Sequence, residues 1–129
     1  MPNILIADDN EDMCQIISDV FREEGYMVAV AYDGASALNE LKREIYDLMI
    51  LDYKLYDMSG LEVMDALRQT TPLLPAAIMI SAYGSETVKS KARELGVYEF
   101  FDKPFDVNML LKAVKKALNT KEYKIVNSE

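Results

Sequence analysis

What most constrains this chain of 129 residues is an alternation. Short apolar runs rich in branched residues take turns with longer stretches whose apolar residues recur at helical spacing. "NILIA" (Asn3–Ala7) reads as a strand. After it, Met13, Ile16, Ile17, Val20 and Phe21 mark one face of a helix that Gly25 stops. "YMVAVA" (Tyr26–Ala31) reads as the second strand, and Asp33 is placed to cap a helix whose inner face carries Leu38, Leu41 and Ile45. "DLMIL" (Asp47–Leu51) is the third, followed by the stripe Leu61, Met64 and Leu67. "AAIMI" (Ala76–Ile80) comes after Pro72 and Pro75, and a weaker stripe of Val88, Ala92 and Leu95 is closed by Gly96. "YEFF" (Tyr98–Phe101) is the fifth, and Val107, Leu110, Leu111, Val114 and Leu118 form the clearest stripe of all.

Five strand–helix pairs in strict alternation predict an α/β fold, a doubly wound parallel sheet with helices on both faces. The nearly unbroken apolar third and fourth strands belong at its centre. The length allows one domain, taken as residues 1–119, with 120–129 as a polar C-terminal tail. The eight methionines mostly fall on apolar faces and read as core filling. A net charge of -8 argues against direct binding to nucleic acid or an anionic membrane. No apolar run approaches the roughly 20 residues of a membrane span, and the single cysteine, Cys14, allows no internal disulfide. The expectation is a cytoplasmic domain.

In such a sheet, ligands bind outside the carboxyl ends of the strands, where the strand order reverses. The first strand ends in Asp8 and Asp9, the third in Asp52, the fourth in Ser81 and the fifth in Lys103. For strand order 2-1-3-4-5 the reversal lies between strands one and three, which brings the three carboxylates together. Crowded carboxylates repel unless a cation neutralises them. Hard oxygen ligands with open positions suit Mg²⁺, with Mn²⁺ as a permitted substitute. Lys103 can then serve as a point charge for a phosphate oxygen, and a carboxylate beside metal and lysine can attack phosphorus. Asp52, alone on the central strand, is the nucleophile candidate, and the pair Asp8 and Asp9 suits the metal. Taken singly, each residue has a plainer reading. Asp9 with Asn10 would cap the first helix, Asp52 and Ser81 would be turn residues, and Lys103 before Pro104 would be a solvated lysine.

The stretches "ILIADDN", "DLMILDYKLYDMSGLEV", "IMISAYG" and "ELGVYEFFDKPFD" resemble a response-regulator receiver domain of two-component signalling, over residues 3 to 119. The resemblance implies the flavodoxin-like order 2-1-3-4-5, with Asp52 as phosphoacceptor. It implies Asp9 as a direct Mg²⁺ ligand, Asp8 acting largely through bound water, and the backbone carbonyl of Lys54 completing the metal shell. Lys103 would contact the phosphoryl group, Ser81 would move to hydrogen-bond it, and Phe100 would be the aromatic switch residue. The Lys103–Pro104 bond would be cis, and Ala82 would supply the small residue beside the site. The donor would be a histidine kinase or a histidine phosphotransfer protein. Phosphorylation would bias the surface of helix four, strand five and helix five toward a downstream protein partner. Met13, Cys14, Pro104 and Phe105 are candidate docking residues. Ser59 stands where the loop often has proline, so a less rigid turn before Gly60 is expected. "DYK", "AYG" and "KPFD" look most like stand-alone regulators of sporulation-type phosphorelays. Lys54 and Tyr83, two past Asp52 and Ser81, lie where side chains can shield or admit water.

Three other readings compete. A phosphohydrolase with an aspartyl-phosphate intermediate needs D-x-D after the first strand, where this chain has Asp8 and Asn10, and it needs a cap insertion. A calcium loop from Asp8, Asn10 and Asp12 fails at Met13 and Asp19, where glycine and glutamate are required. A receiver-like interaction module that is never phosphorylated is opposed by the intact set of Asp8, Asp9, Asp52, Ser81 and Lys103. A phosphoacceptor without external turnover, hence not an enzyme in the usual sense, is the expectation.

Overall fold

A computed structural model describes residues 1–71 and 73–127, with side chains described to residue 120. Five strands alternate with five helices. The strands are β1 (Asn3–Ala7), β2 (Met27–Ala31), β3 (Leu48–Asp52), β4 (Ala76–Ser81) and β5 (Glu99–Asp102). Between and after them run α1 (Glu11–Glu23), α2 (Gly34–Arg43), α3 (Gly60–Arg68), α4 (Glu86–Glu94) and α5 (Val107–Asn127). All pairings are parallel, in the order β2-β1-β3-β4-β5. The doubly wound sheet expected from the alternation is therefore the fold.

Period-two alternation splits the central strands into two apolar faces. Ile4, Ile6, Leu48, Ile50, Ile78 and Ile80 pack with Ile17 and Phe21 of α1 and with Leu110, Ala113, Val114 and Ala117 of α5. Leu5, Ala7, Met49, Leu51, Ala77 and Met79 pack on the other side with Ala37 and Leu41 of α2, Val63, Met64 and Leu67 of α3, and Ala92 of α4. β3 is buried along its whole length, as its uninterrupted apolar run requires. Each fully buried Ile or Leu contributes roughly 1.5–3 kcal/mol of transfer free energy. That burial holds the strand ends in register.

The helix termini follow the sequence closely. Asn10 caps α1, its side chain accepting from the Met13 amide at 3.0 Å, so the cap is Asn10 and not Asp9. Gly25 and Gly96 adopt φ of +90° and +92°, conformations that end α1 and α4 at no steric cost to glycine. The turn before Gly60 is hydrogen-bonded through Ser59. Its hydroxyl accepts from the Glu62 amide at 3.1 Å, and its own amide donates to Glu62 at 3.0 Å, a complete capping box.

Two expected core residues lie elsewhere. Ile16 is 57% exposed, because Cys14, Ile17 and Phe21 form the inner face of α1 and residue 16 falls to its side. Ile45 is 89% exposed, because α2 ends at Arg43 and the chain turns before the next apolar position would come round. α5 continues to Asn127, past the start of the expected tail at 120, and no glycine or proline follows Val107 to stop it. The side chains of 121–127 and all of 128–129 lie outside the described residues, as does Pro72.

Candidate functional site

β1 and β3 are neighbours, yet the chain leaves β1 for α1 on one face and β3 for α3 on the other. This divergence opens the crevice at their carboxyl ends. Asp8 and Asp52 stand at its floor, fully buried and 4% exposed respectively, and Asp9 lies at its rim, exposed. Carboxylate oxygens of all three lie within 4.8 Å of one another.

Lys103 comes in from the end of β5. Its ammonium lies 2.8 Å from Asp52 Oδ2 and 3.1 Å from Asp8 Oδ2, and the side chain is only 18% exposed. The other carboxylate oxygens take backbone donors. Asp8 Oδ1 accepts from the Asn10 amide at 2.9 Å, and Asp52 Oδ1 from the Lys54 amide at 3.1 Å. Burial pushes the Asp8 carboxyl above its usual range, and the Asp52 charge adds to this against the Asn10 amide and Lys103. Burial works against the Lys103 ammonium, but the Asp52 and Asp8 carboxylates beside it outweigh this and raise its pKa.

The donor set fits a hard divalent cation. Among the described residues, Asp8 Oδ2 is buried without an aligned hydrogen-bond donor, although it sits at ion-pair distance from Lys103. Two buried acidic side chains, an exposed third and one lysine leave an anionic pocket of oxygen donors. Such a set suits Mg²⁺, which takes carboxylate and carbonyl oxygens and keeps waters.

Ser81 closes β4, 1% exposed, and its hydroxyl accepts from the Tyr83 amide at 2.9 Å. The Lys103 amide donates to the Ser81 carbonyl at 2.7 Å, tying the two strand ends together. The Lys103–Pro104 peptide is cis. Phe100 is half-buried, its ring packed against the α2–α4 side of the core with the Lys89 ammonium 5.5 Å from its centroid. Lys54, Ala82 and Tyr83 are exposed. Of the candidate docking residues Pro104 is exposed, whereas Met13 and Phe105 are half-buried against the core. Cys14 is buried, so it cannot meet a partner; burial raises its thiol pKa to about 12, and its Sγ lies 3.4 Å from the Asp8 carbonyl.

Sequence reasoning missed Asp57. Its carboxylate accepts from the Gly34 and Ala35 amides at 2.6 and 2.9 Å, joining the loop after β3 to the start of α2. A glycine at the first position of a helix was the one sign that another segment approaches there.

Comparison with known proteins agrees with this geometry. The sequence model described as "Response regulator receiver domain" matches residues 4–115. Sporulation initiation phosphotransferase F of Bacillus subtilis is 36% identical over 118 residues, covering 92% of this chain and 94% of that protein. The transcriptional regulatory protein ZraR of Salmonella typhimurium is 31% identical over 116 residues, which is 90% of this chain but only 26% of that longer protein. Among solved structures, a response regulator receiver domain protein (CheY-like) from Methanospirillum hungatei superposes with a TM-score of 0.90 at 27% identity, covering 96% of this chain and 98% of that one.

Proposed function

The chain belongs to the response regulator receiver domain family, and from that premise we propose that Asp52 accepts a phosphoryl group from a phosphohistidine. The donor is a histidine kinase or a histidine phosphotransfer protein. The observation that carries this reading is the Lys103 bridge, one ammonium 2.8 Å from Asp52 and 3.1 Å from Asp8 in a crevice where Asp9 joins them. Phosphoryl transfer asks little covalent chemistry of the protein and much positioning and charge stabilisation. An oxygen of Asp52 attacks phosphorus, and the phosphorus–nitrogen bond of the phosphoimidazole breaks with its electron pair kept by the ring. Lys103 neutralises charge on the transferred oxygens. A Mg²⁺ ion, or Mn²⁺ in its place, held by Asp8, Asp9, Asp52 and the Lys54 carbonyl, supplies further neutralisation when bound.

Phosphorylation then gives the Ser81 hydroxyl, which accepts from the Tyr83 amide, an acceptor for its own proton. Movement of β4's end toward Asp52 frees space for Phe100, and the surface of α4, β5 and α5 repacks for a downstream protein. The likeness to a sporulation phosphotransferase along nearly its whole length supports a place in a phosphorelay. Turnover of an external substrate is not part of this function. No helix of the described residues is long and apolar enough to cross a membrane, and a cytoplasmic role without direct contact to nucleic acid or membrane fits the net charge of -8.

The test is the intact mass after incubation with a small acyl phosphate, with and without Mg²⁺, beside Asp52→Asn. One metal-dependent, base-labile adduct absent from the variant supports the phosphoacceptor. No adduct under any condition favours an interaction module that is never phosphorylated.

A further inference from the structure

The loop between β3 and α3 carries the backbone next to Asp52, and it is closed at its base by main-chain contacts. The Gly60 amide donates to the Tyr53 carbonyl at 2.7 Å, and the Leu55 amide to the Met58 carbonyl at 3.1 Å. Lys54 and Ser59 form an isolated antiparallel bridge between them. Leu55 is buried under the loop and Tyr56 is exposed at its tip. These contacts define the loop's shape. Leu55, Tyr53 and Met58 pack it on the core and the Tyr53 amide donates to the Ile80 carbonyl at 2.7 Å, but none of these contacts is a polar anchor to α2.

Asp57 supplies that anchor. Its two carboxylate oxygens take the Gly34 and Ala35 amides, the first two of α2, at 2.6 and 2.9 Å. The third amide, that of Ser36, is taken by Asp33 at 2.7 Å, and the Ala37 amide already donates to the Asp33 carbonyl. Two aspartates of separate origin thus satisfy the donors that the first turn leaves free. Asp33 is the local cap, whereas Asp57 arrives from 23 residues away. The contact also has steric requirements. A Cβ on residue 34 would collide with Met58 Cγ and approach Asp57 Oδ1 to 3.0 Å, so the loop reaches the helix only over a glycine. The Gly34 amide holds the Asp57 carboxyl below its usual range, so the anchor is charged at neutral pH.

We propose that Asp57 is a positioning residue for the phosphorylation site: by docking the loop tip onto the N-terminus of α2 it fixes the backbone at Lys54. The inference rests on the phosphoacceptor reading above, in which the Lys54 carbonyl belongs to the metal shell. Lys54 also donates its amide to Asp52 Oδ1 at 3.1 Å, so a shift of the loop reaches the phosphoacceptor carboxylate directly. Partners that orient a ligand from behind commonly change metal affinity when removed.

The experiment is a calorimetric Mg²⁺ titration of the unsubstituted chain, Asp57→Ala, Asp57→Asn and Asp33→Ala, with amide hydrogen exchange on each. Asp57→Ala is expected to speed exchange at Gly34 and Ala35 and to weaken Mg²⁺ binding by about tenfold. Asp57→Asn keeps one acceptor oxygen and is expected to fall between; it carries the test if the alanine variant does not fold. Asp33→Ala removes the other cap of the same helix, so it is expected to speed exchange at Ser36 while leaving Mg²⁺ affinity within about twofold, well short of a lost orienting partner. Equal losses in Asp33→Ala and Asp57→Ala would overturn the proposal, reducing Asp57 to a second helix cap. So would Mg²⁺ affinity unchanged in Asp57→Ala. Absence of Mg²⁺ binding by the unsubstituted chain would overturn the metal-assisted reading itself, and the positioning role with it.

Discussion

Lys103 reaches across the end of β4 to Asp52, its Nζ 2.8 Å from Oδ2, and the same ammonium lies 3.1 Å from Asp8. One cation from the fifth strand is thereby shared between two buried carboxylates from the first and third. Removing Lys103 leaves two buried carboxylates without a counter-charge, whereas removing Asp8 leaves the Lys103–Asp52 pair intact. This bridge is the electrostatic centre of the site, and the first prediction concerns it.

Lys103→Met keeps most of the apolar stem and deletes only the charge. Phosphorylation by a small phosphodonor should slow by about 10²-fold, the usual cost of losing one preorganised charge-stabilising donor. Mg²⁺ binding should tighten in the same variant, because the competing ammonium has gone. Mass-resolved kinetics and calorimetry read the two effects separately, and a fall in both would show that Lys103 instead organises the metal site.

Asp8 carries the pH dependence. Its folded pKa is raised above 3.8, chiefly by burial, so the native state holds this proton to higher pH than the unfolded chain. The stability that the bound proton confers is complete below the unfolded value and is lost as pH rises through the folded value. Ionised Asp8 therefore costs stability at neutral pH. Asp8→Asn should stabilise the metal-free protein at pH 7, because it removes the buried charge. Mg²⁺ at ten times its Kd should stabilise the unsubstituted chain by about 1.4 kcal/mol and the variant by much less. Urea denaturation with and without Mg²⁺ checks both signs; a destabilised Asp8→Asn would contradict the reading.

Gly84 is packed against the candidate switch residue. A Cβ there would lie 2.6 Å from Phe100 Cε1 and 3.0 Å from Asp102 Oδ1. Asp102 pairs with Lys89 at 3.0 Å, and Lys89 covers the Phe100 ring. Gly84→Ala should therefore displace the ring, loosen that ion pair and cost about 1–3 kcal/mol, as overpacking does. Phe100 ring resonances and a denaturation curve test it. A neutral substitution with unmoved resonances would mean the loop, not the ring, gives way.

Lys54 and Tyr83 are exposed beside the site, so neither supports the core. Lys54→Ala and Tyr83→Ala should each leave stability within about 0.5 kcal/mol while changing the lifetime of the phosphorylated form. Loss of the adduct followed by mass over time is the measurement. An unchanged decay rate in Lys54→Ala would remove that side chain from any role in admitting water.

Much of this protein is written in local patterns. The alternation of short branched apolar runs with helical stripes names the layers, because a strand buried on both faces must be apolar throughout while a covering helix needs one apolar face. The residues that end the strands then identify Asp8, Asp9, Asp52, Ser81 and Lys103 as neighbours before any contact is known. Capping is equally local. Asp33 and Gly25 act where the sequence puts them, since the donors they satisfy, or the backbone angle they adopt, lie within a few residues.

Tertiary structure decided what depends on contacts between distant segments. Ile16 and Ile45 carry apolar side chains at plausible spacing, yet both are exposed, because the inner face of a helix is set by what packs on it and by where the helix stops. Cys14, Ala113 and Ala117 took inner positions that a search for large apolar residues passed over. Asp57 belongs to no periodic pattern, and its partners Gly34 and Ala35 lie more than 20 residues earlier. A sequence shows which groups need donors and acceptors. Only the folded backbone shows which distant groups meet, because that depends on the angle and height at which each loop leaves the sheet.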